Sequence, residues 1–134
     1  MIGIDMVFLP DFRAQLADPA SAFATGTFTR AELAAAEARA GGDPAPHLAA
    51  RFAAKEAFLK AWDGLFWGRT PPLERVDLRD IEVVSDAWGR PSLALHGAVA
   101  ATFRQDLSAR VSLSHDGPNA IAVVTLSSLS ESSR

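Results

Sequence analysis

The sequence predicts an α+β fold in a single domain, on three observations. The 134 residues suit one domain, and a chain of this length buries roughly two thirds of its unfolded surface. A composition of 49% hydrophobic and 22% charged residues is that of a globular protein. The pattern of segments reads strand, helices, two strands, helix, two strands, which is not the regular alternation of a doubly wound sheet.

Residues 2–9 read as the first strand, with Ile2, Ile4, Met6 and Phe8 on one face and Gly3, Asp5, Val7 and Leu9 on the other. Both faces are mostly apolar, so this strand is expected to be buried on both sides. Pro10 can open a short helix over 10–17. Residues 23–28 read as irregular. Thr29-Arg30-Ala31-Glu32 matches a capping box and starts a helix over 30–39, stopped by Gly41 and Gly42. Residues 44–63 form the main helix. Helical spacing sorts Leu48, Phe52, Leu59 and Trp62 into a large stripe, with Ala49, Ala50, Ala53, Ala54, Ala57 and Ala61 on the other side. An alanine face lets a neighbouring backbone approach closely. A loop with Phe66 and Trp67 follows. Strands are then expected over 80–85 and 92–96, a helix over 98–106, and strands over 109–115 and 120–126. The domain is read as 1–126, with a Ser-rich flexible tail over 127–134.

Composition excludes several classes of function. There is no cysteine, hence no disulfide scaffold, thiolate metal site or cysteine nucleophile. No apolar run approaches the roughly 20 residues of a membrane span, and the first residues lack the pattern of a signal peptide. A cytoplasmic protein with no membrane partner is the expectation. The net charge of -3 disfavours general nucleic-acid binding.

Four groups of residues stand out chemically. Asp5 is a carboxylate in an apolar strand, costly to bury without a partner; a salt bridge and a Mg²⁺ ligand are both open readings. Glu56 sits beside the large stripe of the main helix, and either pairs with Lys60 at i,i+4 or serves as a second metal ligand. Arg51, Lys55 and Lys60 flank it, as solvated helix charges or as partners of a phosphate ester. His115-Asp116 ends a strand, where a histidine suits either proton transfer or a bond to a turn carbonyl. Walker-type loops, G-x-S-x-G and H-E-x-x-H are absent.

Together these pieces resemble the acyl carrier protein synthase family, the small trimeric 4′-phosphopantetheinyl transferases, and look most like actinobacterial members. Gly3-Ile4-Asp5-Met6-Val7 is similar to the family's N-terminal G-[IV]-D block. Residues 48–61, with Lys55-Glu56-Ala57 at the centre, resemble its central helix. Val111-Ser112-Leu113-Ser114-His115-Asp116 resembles its S-[IL]-[ST]-H block. Phe28-Thr29-Arg30-Ala31-Glu32 and Gly89-Arg90-Pro91 add an F-T-x-x-E helix start and a hairpin. The likeness runs from residue 2 to about 126.

The resemblance implies the phosphopantetheinyl transferase fold and a reaction. Coenzyme A binds with Mg²⁺, a serine of an apo acyl carrier protein or carrier domain takes the phosphopantetheine, and 3′,5′-ADP leaves. It implies Asp5 and Glu56 as Mg²⁺ ligands and Lys55 as a contact to the transferring phosphate. It places Arg51, Lys60, Gly89, Arg90, Pro91, His115 and Asp116 around the nucleotide half of coenzyme A. Glu56, His115, Asp116 and a metal-bound water remain open as the base. It implies a homotrimer with interfacial sites, Asp5 and His115 coming from one subunit and the Glu56 helix from its neighbour. The alternative is a non-catalytic trimer of this fold that binds coenzyme A or a nucleotide. Two departures matter. The family's Gly-rich turn after the central helix is replaced by Trp62-Asp63-Gly64-Leu65-Phe66-Trp67-Gly68, and the arginine that docks the acidic carrier is replaced by Asp11, with Arg13 as the substitute.

Overall fold

Strand β1 (Ile2–Phe8) runs straight into helix α1 (Leu9–Ala17), because Pro10 falls in the first helical turn, where it is tolerated. The description rests on a computed structural model that covers residues 1–39 and 41–132. Helices α2 (Phe23–Thr27), α3 (Arg30–Ala38) and α4 (Ala45–Gly64) follow. A 3-10 turn, Leu78–Asp80, leads into strands β2 (Ile81–Ser85) and β3 (Pro91–Leu95). Helix α5 (Gly97–Thr102), strands β4 (Leu107–Asp116) and β5 (Asn119–Ser128), and a last turn α6 (Leu129–Ser132) complete the chain.

The strands form two antiparallel sheets. One has the order β1-β5-β4 and the other is the β2-β3 hairpin. Helix α4 lies across the inner face of the larger sheet. Gly3 makes this possible: a Cβ there would lie 1.9 Å from the Ala57 carbonyl oxygen and 2.7 Å from the Ala61 nitrogen. The alanine face is therefore a backbone-to-backbone seat, with Ala53, Ala54, Ala57 and Ala61 fully buried. The other side of α4 packs into two aromatic groups. Phe52 meets Phe12 and Phe23, while Phe58 and Trp62 meet Phe103. Burial on both sides explains why α4 has no continuous polar stripe.

The capping box at α3 forms as expected. The Thr29 hydroxyl accepts from the Glu32 N–H at 3.1 Å, and the Glu32 carboxylate accepts from the Thr29 N–H at 3.0 Å. Three expectations are corrected. Residues 23–28 are not irregular: Phe23 packs edge-on against Phe12, and that contact carries a helical turn at α2. The helix expected over 98–106 ends at Thr102, and a turn from Arg104 feeds β4. Strand β1 is buried on one side only. Ile2, Ile4, Met6 and Phe8 are 65%, 54%, 65% and 49% exposed. Their cross-strand partners Thr125, Val123, Ile121 and Asn119 continue the same open face. Pairing also carries β5 past residue 126, with Ser127 opposite Ser108 and Ser128 opposite Leu107. Of the tail over 127–134, residues 133 and 134 lie outside the described residues.

Candidate functional site: an acid pair and a basic cleft

Asp5 lies in the centre of β1 on the helix-facing side, opposite Ala122 of β5. Helix α4 brings Glu56 and Lys60 to it. Lys60 donates to the Asp5 carboxylate at 3.0 Å and to the Ile4 carbonyl at 3.1 Å. The i,i+4 bridge between Glu56 and Lys60 therefore gives way to one across the helix–strand seam. Burial pushes the Glu56 carboxyl up from its ordinary value, the Asp5 charge pushes it further, and Lys60 offsets part of this. Both carboxylates thus meet within one chain, contrary to the expected division of Asp5 and the Glu56 helix between subunits.

Two carboxylates and one ammonium form a small acidic site. Among the described residues no cluster of three or more metal-ligating side chains exists. That donor set still fits Mg²⁺, which commonly takes one or two carboxylates and fills its octahedron with waters and phosphate oxygens. The raised Glu56 points the same way, because a cation between the two groups would relieve their repulsion.

A basic cleft lies further towards the start of α4. Arg51, Gly89, Pro91 and His115 line a cleft of about 180 Å³ together with Arg39. It continues into a space of about 380 Å³ bounded by Arg39, Asp43, His47, Arg51 and His115. His115 reaches it because its β-ladder partner Ala120 belongs to the buried face, the next row after the Asp5 row. Burial lowers Arg51 to about 10, with Arg39 contributing. Arg39 and Arg51 share the cleft with no ion pair to a carboxylate among the described residues. Two such guanidiniums repel each other, and an anion between them removes the repulsion. His47 is held neutral, at about 4, by burial first and then by Arg51 and Arg39. Its Nε2 is buried without a hydrogen-bond partner among the described residues.

Lys55 is not in either place. It is fully buried, and its ammonium donates to the Glu32 carboxylate at 2.8 Å, the Leu78 carbonyl at 2.9 Å and the Ile81 carbonyl at 2.6 Å. The other Glu32 oxygen accepts from the Val83 N–H at 3.0 Å. All three ammonium protons are committed, so in this structure Lys55 has none to offer a phosphate. Burial lowers its pKa and Glu32 opposes that shift. The geometry thus departs from the phosphate contact expected of Lys55.

Residues 1–124 match the 4′-phosphopantetheinyl transferase superfamily. This chain belongs to that superfamily. It is 46% identical over 125 residues to the holo-[acyl-carrier-protein] synthase of Mycobacterium tuberculosis, covering 93% of this chain and 94% of that one. It resembles the coenzyme A complex of the Chronobacterium ammoniagenes synthase with a TM-score of 0.89, at 41% identity and 96% coverage of both chains. It also resembles the Bacillus anthracis synthase in complex with CoA (3′,5′-ADP), with a TM-score of 0.71, at 31% identity and 95% coverage of both.

For this phosphopantetheinyl transferase superfamily member, the residues expected at the site divide into three sets. Asp5, Glu56 and Lys60 come together, as do Arg51, Gly89, Pro91 and His115. Arg90 and Asp116 join neither set. The Arg90 guanidinium bonds the Asp86 carboxylate at 2.5 Å. Asp116 follows His115 and so points to the opposite face of β4, in the row of Phe8 and Asn119. Arg13, expected to dock a carrier, holds Asp43 through two bonds of 2.8 Å. The sequence reading missed Arg39 and His47. His47 carried a signal, since it stands one turn before Arg51 on the same helix face. Arg39 carried none, because it reaches the cleft from the end of α3 across a connection.

Proposed function

We propose that this protein is a holo-[acyl-carrier-protein] synthase. It moves 4′-phosphopantetheine from coenzyme A to a serine of an apo acyl carrier protein or carrier domain, in the cytoplasm. The observation that supports it most is the pairing of an acidic site with a cationic cleft in one molecule. Coenzyme A carries a pyrophosphate, which an acid pair would take through Mg²⁺, and a separate ribose phosphate, which cations take directly.

Asp5 and Glu56 would hold Mg²⁺, which neutralises charge on the pyrophosphate and improves the leaving group. Lys60 fixes the Asp5 carboxylate and adds positive charge beside the pyrophosphate. Arg39 and Arg51 hold the anionic nucleotide half, with His115 at the cleft wall. The serine oxygen forms the new bond to phosphorus, the bond to 3′,5′-ADP breaks, and a base at the site accepts the serine proton. Lys55 acts on this chemistry indirectly. It ties α4, which carries Arg51 and Glu56, to the hairpin that carries Gly89 and Pro91.

The open face of Ile2, Ile4, Met6 and Phe8 supports a homotrimer, since so continuous an apolar strand face is costly to leave in water. Native mass spectrometry of Met6→Glu should show loss of trimer relative to wild type. An unchanged trimer would place the interface elsewhere.

The decisive test is intact-mass spectrometry of an apo acyl carrier protein incubated with this protein, coenzyme A and Mg²⁺. A gain of one phosphopantetheine, abolished by EDTA and matched by 3′,5′-ADP, is expected. Coenzyme A binding without any gain on several carriers would favour a non-catalytic binding protein of the same fold.

A further inference from the structure

The hairpin between β2 and β3 presents a feature that neither charged site uses. Trp88 at its tip is 79% exposed. A tryptophan this open gives up the burial that normally fixes the residue. Its backbone is nevertheless well held. The Asp86 carboxylate accepts from the Trp88 N–H at 2.9 Å and from the Arg90 N–H at 2.9 Å. The Gly89 N–H donates to the Asp86 carbonyl at 3.0 Å. Gly89 has φ +82°, a conformation that suits glycine and turns the chain sharply after Trp88. The Arg90 guanidinium lies 5.1 Å from the Trp88 ring centroid, held in place by Asp86. One ring face is thus covered by a cation and the rest of the ring faces solvent.

The position of this platform matters more than its exposure. The next residue, Gly89, lines the basic cleft with Arg39, Arg51 and His115. The Arg39 guanidinium comes within 4.0 Å of where a Gly89 Cβ would be. A rigid aromatic ring therefore stands one residue from a cleft whose two guanidiniums, Arg39 and Arg51, have no carboxylate partner among the described residues. Cations take a phosphate and an aromatic face takes a base, and the two side by side fit a purine nucleotide.

We propose that Trp88 is a specificity residue that stacks on the purine base of the nucleotide whose phosphates occupy the Arg39–Arg51 cleft. The proposal rests on the reading of that cleft as the coenzyme A nucleotide site. Trp67, 91% exposed on the loop after α4, neither lines the Arg39–Arg51 cleft nor adjoins a residue that does, and serves as the control.

The test compares wild type, Trp88→Ala, Trp88→Phe and Trp67→Ala. The exposure of Trp88 means that its loss leaves the core intact, and circular dichroism checks this. The KM for coenzyme A and the inhibition constant of 3′,5′-ADP should rise about tenfold in Trp88→Ala with kcat unchanged. Trp88→Phe should recover much of the loss, and Trp67→Ala should match wild type. Ribose 3,5-bisphosphate, which lacks the base, should inhibit wild type and Trp88→Ala equally. Binding of 3′,5′-ADP should quench tryptophan fluorescence in wild type and not in Trp88→Ala. Unchanged KM and inhibition constants in Trp88→Ala, with wild type active, would overturn the stacking role and leave the function standing. A rise in KM for the carrier protein alone would overturn it in favour of a docking contact. Failure of wild type to bind coenzyme A at all would overturn the reading of the cleft, and the stacking role with it.

Discussion

Lys55 and Glu56 are neighbours in sequence and opposites in environment. Lys55 is sealed from water with every donor matched, and its partner Glu32 accepts two backbone N–H groups besides. Glu56 is half-buried beside a like charge, with its carboxyl pushed up by burial and by Asp5. One helix thus carries a charge used fully for structure and, one residue on, a charge left under strain. Buried polar groups that only hold a fold are normally satisfied. A half-buried carboxylate held beside a like charge is available for a cation.

The first way to break this contrast is to remove Lys55. Lys55→Met leaves Glu32 buried without its cation and should cost about 3–5 kcal/mol of stability in urea unfolding. Adding Glu32→Gln should recover much of it, since the remaining partner is then neutral. If Lys55→Met unfolds like wild type but no longer turns over, Lys55 meets the phosphate and the contrast is wrong. The next test sharpens the other side. Glu56→Gln should lower turnover about 100- to 1,000-fold. It should leave the fold intact and raise the melting temperature at neutral pH without metal, because ionising a carboxyl with a raised pKa costs stability there. Added Mg²⁺ should stabilise wild type and not this variant. A variant with wild-type turnover would remove Glu56 from the metal site.

Much of the fold was legible because local signals agreed with the tertiary structure. The Thr29–Glu32 capping box, the alanine face of α4 and the 81–95 hairpin all appear where residue pattern places them. The exposed face of β1 was misread for a physical reason. An apolar strand face looks the same in sequence whether its cover comes from the same chain or another. The buried partners of Lys55 were not legible, because helical spacing gives a direction and not a neighbour. Its partners come from α3, the 3-10 turn and the first residue of β2, 23 to 26 residues away. Arg39 was missed for the same reason.

A smaller effect is expected in the basic cleft. Arg39→Ala and Arg51→Ala should each raise the KM for coenzyme A about tenfold with little change in kcat, since charge-assisted bonds to phosphate contribute about 1.5–3 kcal/mol. Equal losses with dephospho-coenzyme A would move their contact away from the ribose phosphate and towards the pyrophosphate.

The smallest effect separates the cleft from the core by pH. His47 titrates near 4 in the folded protein and near 6.5 when unfolded, because burial, Arg51 and Arg39 all disfavour its charge. Asp43 and His115 also border the same space. Above about pH 6.5 the ring is neutral in both states and contributes nothing to the pH dependence. As pH falls from 6.5 towards 4, the unfolded chain takes up the proton first, so stability is lost across that window. The half-buried ring is partly screened, so the loss attributable to His47 should be about 1–2 kcal/mol. His47→Phe should therefore show a shallower fall in stability between pH 6.5 and 4 than wild type. It should show no change in slope above pH 7. Parallel curves for the two proteins would mean that His47 is protonated alike in both states, and that neither its burial nor the field of Arg51 and Arg39 disfavours its charge.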